Sequence, residues 1–168
     1  MNSSGFPLIR VRGLKKKFGD EDILKDITLD IERGKATTLI GTSGSGKSLF
    51  FKCLQGLIQP DAGEILINGQ ALNQMTSSER RELTQKSSVL FQSGGLFDSL
   101  TVWENICFFR NSLSKISKEQ ARQIAEEKLA IVGLEPDICD LYPRSLSGGM
   151  QKRVGFAHAI ANEPEILF

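Results

Sequence analysis

The chain lacks an excess of charge of either sign, with 21 Lys plus Arg against 20 Asp plus Glu in 168 residues. Proteins that hold a polyanion by bulk charge are more basic, so nucleic acid is disfavoured as a partner. It also lacks any run approaching the roughly 18–20 consecutive apolar residues of a membrane helix. The opening Met1-Asn2-Ser3-Ser4-Gly5 has no basic stretch leading into an apolar one, so no secretory signal is expected. Cysteine is sparse: Cys53, Cys107 and Cys139 are far apart and odd in number. They make neither a CxxC metal site nor a disulfide framework, and a reducing compartment is the simplest reading. Internal repeats, low-complexity tracts and long linkers are missing too. What is present, 40% hydrophobic and 24% charged residues, is ordinary for one modest soluble α/β domain.

The strongest signal is Gly41-Thr42-Ser43-Gly44-Ser45-Gly46-Lys47-Ser48, which fits the phosphate-loop pattern G-x-x-x-x-G-K-[ST]. The preceding Ala36-Thr37-Thr38-Leu39-Ile40 is β-branched and apolar and predicts a buried parallel strand. The following Leu49-Phe50-Phe51-Lys52-Cys53-Leu54-Gln55 predicts a helix, with Gly56 placed to end it. Glycines at 41, 44 and 46 let the backbone turn with successive N–H groups pointing inward. Those amides and the positive helix end would hold phosphate oxygens. Lys47 would add a mobile positive charge for the β- and γ-phosphates, and the Ser48 hydroxyl a ligand for Mg²⁺. The candidate nucleotide-binding stretch is Gly41, Thr42, Ser43, Gly44, Ser45, Gly46, Lys47, Ser48 and Leu49. The plainer alternative is a Gly/Ser-rich surface turn before a lysine; the flanking strand and helix patterns argue against it.

Elsewhere the patterning alternates between strand and helix. Leu8 to Val11 and Ile23 to Ile31 predict antiparallel strands of a small outer sheet. Arg33-Gly34 is a turn, and Glu64-Ile65-Leu66-Ile67 a strand with a turn at Asn68-Gly69. Ser78 to Gln85 predicts a short surface helix. Lys15-Lys16-Lys17 is read as a solvated strand end rather than a phosphate or lipid contact. From Leu96 to Leu146 the pattern is helical. Thr101-Val102-Trp103-Glu104 and Ser117-Lys118-Glu119-Gln120 both fit a capping box. After the second, Ala121, Ile124, Ala125, Leu129 and Val132 share one helix face, and Gly133 can terminate it. Phe97, Trp103, Phe108 and Phe109 are read as aromatic core ahead of a partner surface.

A second anion-binding pattern lies at Leu146-Ser147-Gly148-Gly149-Met150-Gln151. Ser147 stands where an N-cap would, and Lys152 to Ala161 reads as the helix. A hydroxyl, two bare glycine backbones and a helix N-terminus can face an anion; a plain capped helix is the alternative. This segment resembles the signature motif of ATP-binding-cassette (ABC) ATPases, whose common form is LSGGQ. Together with the phosphate loop, in this order, it identifies the chain as similar to that family from about Leu8 to Phe168.

The resemblance implies a fold and a set of roles. The fold is a phosphate-loop α/β cassette over residues 1–168, with an antiparallel β subdomain and a mostly parallel core sheet. An α-helical subdomain is inserted at about 96–146, and in the family it meets the membrane partner. Phe18, 23 residues before Gly41, falls where the family stacks an aromatic on adenine; a plain core residue is the alternative. Gln92, after the apolar run Ser88-Val89-Leu90-Phe91, matches the family glutamine that touches Mg²⁺ and the attacking water. Lys47 and Gln92 are thus the candidate catalytic residues, and Ser48 and Gln92 the candidate metal contacts. Ser147, Gly148 and Gly149 would bind the ATP held by a second subunit. His158 lies on the signature helix and is read as a packed or surface histidine, not the family's switch histidine.

Two departures stand out. Leu49 replaces a hydroxyl residue, so a contact to the α-phosphate is absent or replaced. Met150 stands where the common signature has Gln. Both, with Phe91-Gln92-Ser93-Gly94-Gly95-Leu96-Phe97, look like the Mla-type branch, which powers phospholipid movement between bacterial membranes. Pro164 to Phe168 resembles the start of the Walker B strand, whose Asp and Glu would follow. The expectation is a cassette lacking its C-terminal part, its 168 residues at best a weak nucleotide binder, from a full-length ATPase. That ATPase would be cytoplasmic and peripheral on the inner face of the membrane. It would form a homodimer that sandwiches ATP and drives a separate integral-membrane permease. An ABC ATPase without a permease, of a ribosome-associated or DNA-repair kind, is the alternative, as is another cargo. Only 55 positions separate Gln92 from Ser147, and no sustained heptads fill them, which disfavours the DNA-repair kind.

Overall fold

Apolar residues alternate along the first strand and then slip out of phase halfway. The computed structural model describes residues 7–92, 94–113 and 116–168, side chains at 111–113 excepted. The readings of Met1 to Gly5 and of Ser93 therefore lie outside the described residues. The chain divides into two units, Met1–Arg81 and Glu82–Phe168.

In the first unit, β1 (Ile9–Phe18) pairs antiparallel with β2 (Glu21–Ile31). Ile9, Val11 and Leu14 are buried, and the phase changes where the pairing with β2 shifts register between Val11 and Leu14. A slip of one residue would turn every later side chain to the other face; a bulge absorbs it. Within the irregular stretch the Gly13 N–H donates to Thr28 Oγ1 at 2.9 Å. The strict period-two pattern stops at Val11, but the strand runs on to Phe18, with further register shifts between Leu14 and Lys16 and between Lys16 and Lys17. 

Residues 36–40, expected as a buried parallel strand, form no strand. Ala36, Thr37 and Thr38 are exposed, and Ile40 is 90% exposed. A parallel strand needs pairing at its edges and cover on its faces. Among the described residues, no strand pairs with this run.

The helix that follows is α1 (Lys47–Leu54), which buries Phe50, Cys53 and Leu54. It ends at Gly56 as expected: the Leu57 N–H reaches Lys52 O at 2.9 Å and the Gly56 N–H reaches Cys53 O at 3.0 Å. These two bonds satisfy carbonyls that the helix end would leave open. Next come β3 (Ala62–Ile67) and, across the Asn68-Gly69 turn, β4 (Gln70–Ala71), giving the antiparallel order β2-β1-β3-β4. The exposed helix α2 (Ser77–Gln85) buries no residue and runs across the boundary between the units.

The second unit holds a parallel pair, β5 (Ser87–Ser88) with β6 (Ile166–Leu167). Between them come α3 (Val102–Ile106), α4 (Phe108–Leu113), α5 (Lys118–Ile131) and α6 (Gly148–Ile160). The starts of α3 and α5 follow the expected boxes. The Glu104 carboxylate accepts from the Thr101 N–H at 2.8 Å, and Gln120 Oε1 accepts from the Ser117 N–H at 3.0 Å. α5 turns Ala121, Ala125 and Leu129 into a core shared with Val102, Ile106, Val154 and Ala157. Burying one such leucine or valine is worth about 1.5–3 kcal/mol. Trp103 joins that core, whereas Phe97 and Phe109 are exposed. The three cysteines are buried free thiols; burial pushes each thiol pKa up, that of Cys139 to about 11. Such thiols are poor nucleophiles.

Candidate phosphate-binding site

The loop from Gly41 to Ser48 delivers the chain into α1 through a left-handed turn. Gly46, the residue before the helix, has φ 89°. A Cβ there would sit 3.0 Å from side-chain carbons of both Ile23 and Leu24 on β2. Glycine is needed for the angle and for the close approach alike. No side chain caps α1, and its first turn carries no acidic residue. The first N–H groups of a helix have no partner inside it, which leaves those at Lys47, Ser48 and Leu49 without a helical acceptor. The Lys47 ammonium donates to Gly41 O at 2.7 Å and Thr42 O at 2.6 Å, which places a positive charge across the loop. A helix end without a cap, beside an ammonium, is a general setting for an anion. The Ser48 hydroxyl is exposed at the helix start, and Leu49 offers only its backbone.

Phe18 belongs to the same unit. It ends β1 opposite Glu21 and is 55% exposed, so the plain core reading fails for it. β2, on which Gly46 packs, pairs its Leu24 with Lys16, two residues before Phe18. The hairpin tip and the phosphate loop are therefore carried by one strand pair. The Lys16 ammonium lies 5.8 Å from the Phe18 ring centroid. Lys16 also pairs with Asp61, and Lys17 with Asp22, so the basic run is a paired strand end, with Lys15 and Lys17 exposed and Lys16 covered. The Lys16 ammonium first, then the Lys17 N–H, hold the Asp61 carboxyl below the usual carboxylate range.

Gln92 and Ser147 to Gly149 lie in the second unit. Gln92 is exposed in a turn, closed by the Gly94 N–H to Phe91 O bond at 2.9 Å. Ser147 is the N-cap of α6, its Oγ accepting from the Met150 N–H at 3.3 Å. Ser147, Gly148 and Gly149 are exposed, and a Cβ on either glycine would meet nothing within 4 Å. Met150 turns toward the apolar core, while Gln151 Nε2 donates to Pro143 O at 2.9 Å and braces the segment before the helix.

Three residues of this unit escaped the sequence reading. Gly155, inside α6, meets the backbone just after Gln92: a Cβ there would lie 2.5 Å from Gly94 O. A lone glycine within a helical pattern was the available signal. Asn105 is fully buried; its amide donates to the Phe97, Leu100 and Thr101 carbonyls at 3.0–3.1 Å and accepts from the Phe97 N–H at 2.7 Å. Gln151 gave no local signal. His158 packs as expected, with Nδ1 on Asn105 O and its ring 5.5 Å from that of Phe109.

Comparison with known proteins supplies the context. A family model described as ABC transporter matches residues 24–168. The chain is 40% identical over 169 residues to the probable ribonucleotide transport ATP-binding protein mkl of Mycobacterium tuberculosis, covering 99% of this chain and 47% of that protein. It is 36% identical over 160 residues to the intermembrane phospholipid transport ATP-binding protein MlaF of Haemophilus influenzae, covering 95% and 60%. The chain thus spans about half the length of the curated relatives it matches. The dimeric structure of MJ0796, a bacterial ABC transporter cassette, aligns with TM-score 0.81 at 32% identity over 95% of this chain and 72% of that one. A phosphate loop entering an uncapped helix, a serine-capped Gly-Gly helix start and a family match over most of the length lead to one conclusion: the chain belongs to the ABC transporter family.

Proposed function

We propose that this chain is the ATP-binding and ATP-hydrolysing part of a transporter, driving a separate membrane permease. The observation that carries the reading is the open start of α1, with no capping side chain, no acidic residue in its first turn, and the Lys47 ammonium held across the loop. Lys47 and the loop amides grip the β- and γ-phosphates. Phe18, exposed at the hairpin tip, stacks on the adenine. Gln92 orients the attacking water. Ser147, Gly148 and Gly149 complete the site on a second copy, so that two subunits enclose two ATP molecules. The dimeric MJ0796 cassette supports this arrangement.

Mg²⁺ suits the chemistry of the proposed donors: the Ser48 hydroxyl of the first unit and the Gln92 carbonyl of the second are each a neutral oxygen. Mg²⁺ keeps several waters and rides on substrate phosphates, which suits so sparse a protein contribution. When bound, it would neutralise charge on the phosphates.

The exposed Phe97 and Phe109 support a permease-facing surface on the helical region of residues 96–146. No helix among the described residues is long and apolar enough to cross a membrane. From the family resemblance, the subunit works from the cytoplasmic face. For cargo we favour phospholipid. The support is Met150, the Gly94-Gly95-Leu96-Phe97 segment and the likeness to MlaF; the name of mkl points instead to ribonucleotides. Calorimetry of the full-length protein with Mg-ATP is the direct test. Saturable binding that Lys47→Ala removes is expected; no heat from the wild type would end the reading. Lipid transfer between vesicles by the reconstituted transporter would test the cargo.

A further inference from the structure

One carboxylate brackets the end of β1. Asp61 Oδ1 accepts from the Lys16 ammonium at 2.7 Å, and Oδ2 accepts from the Lys17 N–H at 2.7 Å. The Asp61 N–H donates in turn to Lys15 O at 2.9 Å. Three consecutive residues of β1 are thus tied to a single residue of the segment entering β3, and Phe18 follows them directly. The strand ladder alone holds this end poorly, because its pairing with β2 shifts register between Leu14 and Lys16 and again between Lys16 and Lys17. Lys16 is well covered, its side chain 16% exposed, and its ammonium stands over the Phe18 ring. A flat partner approaching Phe18 therefore meets an aromatic platform with a cation fixed beside it.

We propose that Asp61 is a positioning residue for nucleotide binding: by clamping Lys15 to Lys17 it sets the Phe18 ring, with Lys16 over it, as the platform for the purine base. The inference rests on the nucleotide-binding reading above. It separates the roles of the first unit. The loop at 41–48 holds the phosphates, and the Asp61 clamp serves the base alone.

Calorimetry on the full-length protein with Mg-ATP and with Mg-tripolyphosphate, which has no base, separates the two. Asp61→Ala should weaken ATP about three- to tenfold, the size of one ordinary hydrogen bond, because Asp61 acts through Phe18 and does not touch the base, and leave tripolyphosphate within about twofold. Asp61→Asn keeps an acceptor for the Lys17 N–H but loses the charge that holds Lys16, and should fall between. In a Phe18→Leu background, Asp61→Ala should have no further effect on ATP, since the two act through one contact. Equal loss of both ligands, or an undiminished Asp61→Ala effect without Phe18, would overturn the proposal. A wild type that binds neither ligand would defeat the nucleotide reading itself and this inference with it; a wild type that binds both, with variants that match it, would defeat this inference only.

Discussion

Two helices begin on glycine-rich sequence, and their beginnings are built differently. α1 starts after Gly46 with no side-chain cap and with the Lys47 ammonium held by the loop carbonyls. α6 starts on Ser147, whose hydroxyl already engages the Met150 N–H. Neither first turn carries an acidic residue, so both ends keep the positive field of the helix. α1 has a lysine as its first helical residue. Within α6 the first cations, Lys152 and Arg153, lie past the glycines, and Arg153 donates to Gly133 O at 2.8 Å. On the proposed reading the first start grips the phosphate tail, and the second, with a hydroxyl and two bare backbones, completes the site on a second copy.

Removing the charge should have the largest effect. Lys47→Ala deletes bonds to charged oxygens worth about 1.5–3 kcal/mol each, so Mg-ATP binding should weaken by about 100-fold or more. Titration calorimetry checks this, and binding within tenfold of wild type would show that the amides suffice. Ser147→Arg comes next. It fills the second start with a bulky side chain, so ATP-dependent dimerisation should vanish while each monomer still binds ATP within about twofold. Light scattering coupled to chromatography reads the dimer; an unchanged dimer would remove α6 from the nucleotide site.

The glycines sharpen the contrast in stability. Gly46→Ala forces a side chain into φ 89° and against Ile23 and Leu24. It should cost about 1–3 kcal/mol and lower the melting temperature. Gly148→Ala meets open space and should leave stability within about 0.5 kcal/mol, yet hinder dimerisation by holding a phosphate off the backbone. Thermal melts of both variants decide it. Equal losses would mean that the two starts are equally packed.

The same contrast separates what can be read from the chain from what cannot. Helix ends are local chemistry. Gly56, Gly133, Ser147 and the boxes at Thr101 and Ser117 act within a few residues of themselves, and each stands where the pattern places it. The loop at 41–48 is legible for the same reason. Contacts between distant segments leave no local trace. The clamp of Asp61 on Lys16, the meeting of Gly155 with Gly94 and the bonds of Asn105 to residues 97–101 depend on what the fold brings near. Residues 36–40 fail in the opposite sense. Their β-branched composition is a true local preference, but a strand also needs a partner, and none among the described residues pairs with them. The bulge near Gly13 hid half of β1 because period-two reading assumes an unbroken register.

The smallest change tests whether α1 is short of a donor. Leu49 sits at the third helical position and offers phosphate its N–H but no hydroxyl, where many relatives of the resembling family place a threonine or serine. Leu49→Thr restores a side-chain donor at an end that is otherwise unchanged. A neutral hydrogen bond is worth about 0.5–1.5 kcal/mol net, so Mg-ATP and Mg-ADP should both bind about two- to tenfold more tightly. The two nucleotides should gain alike, because the added hydroxyl would reach the α-phosphate that they share. A gain for ATP alone would place the hydroxyl on the γ-phosphate. No gain for either would mean that backbone amides and Lys47 already saturate the phosphate tail, and that the open start of α1 is complete as it stands.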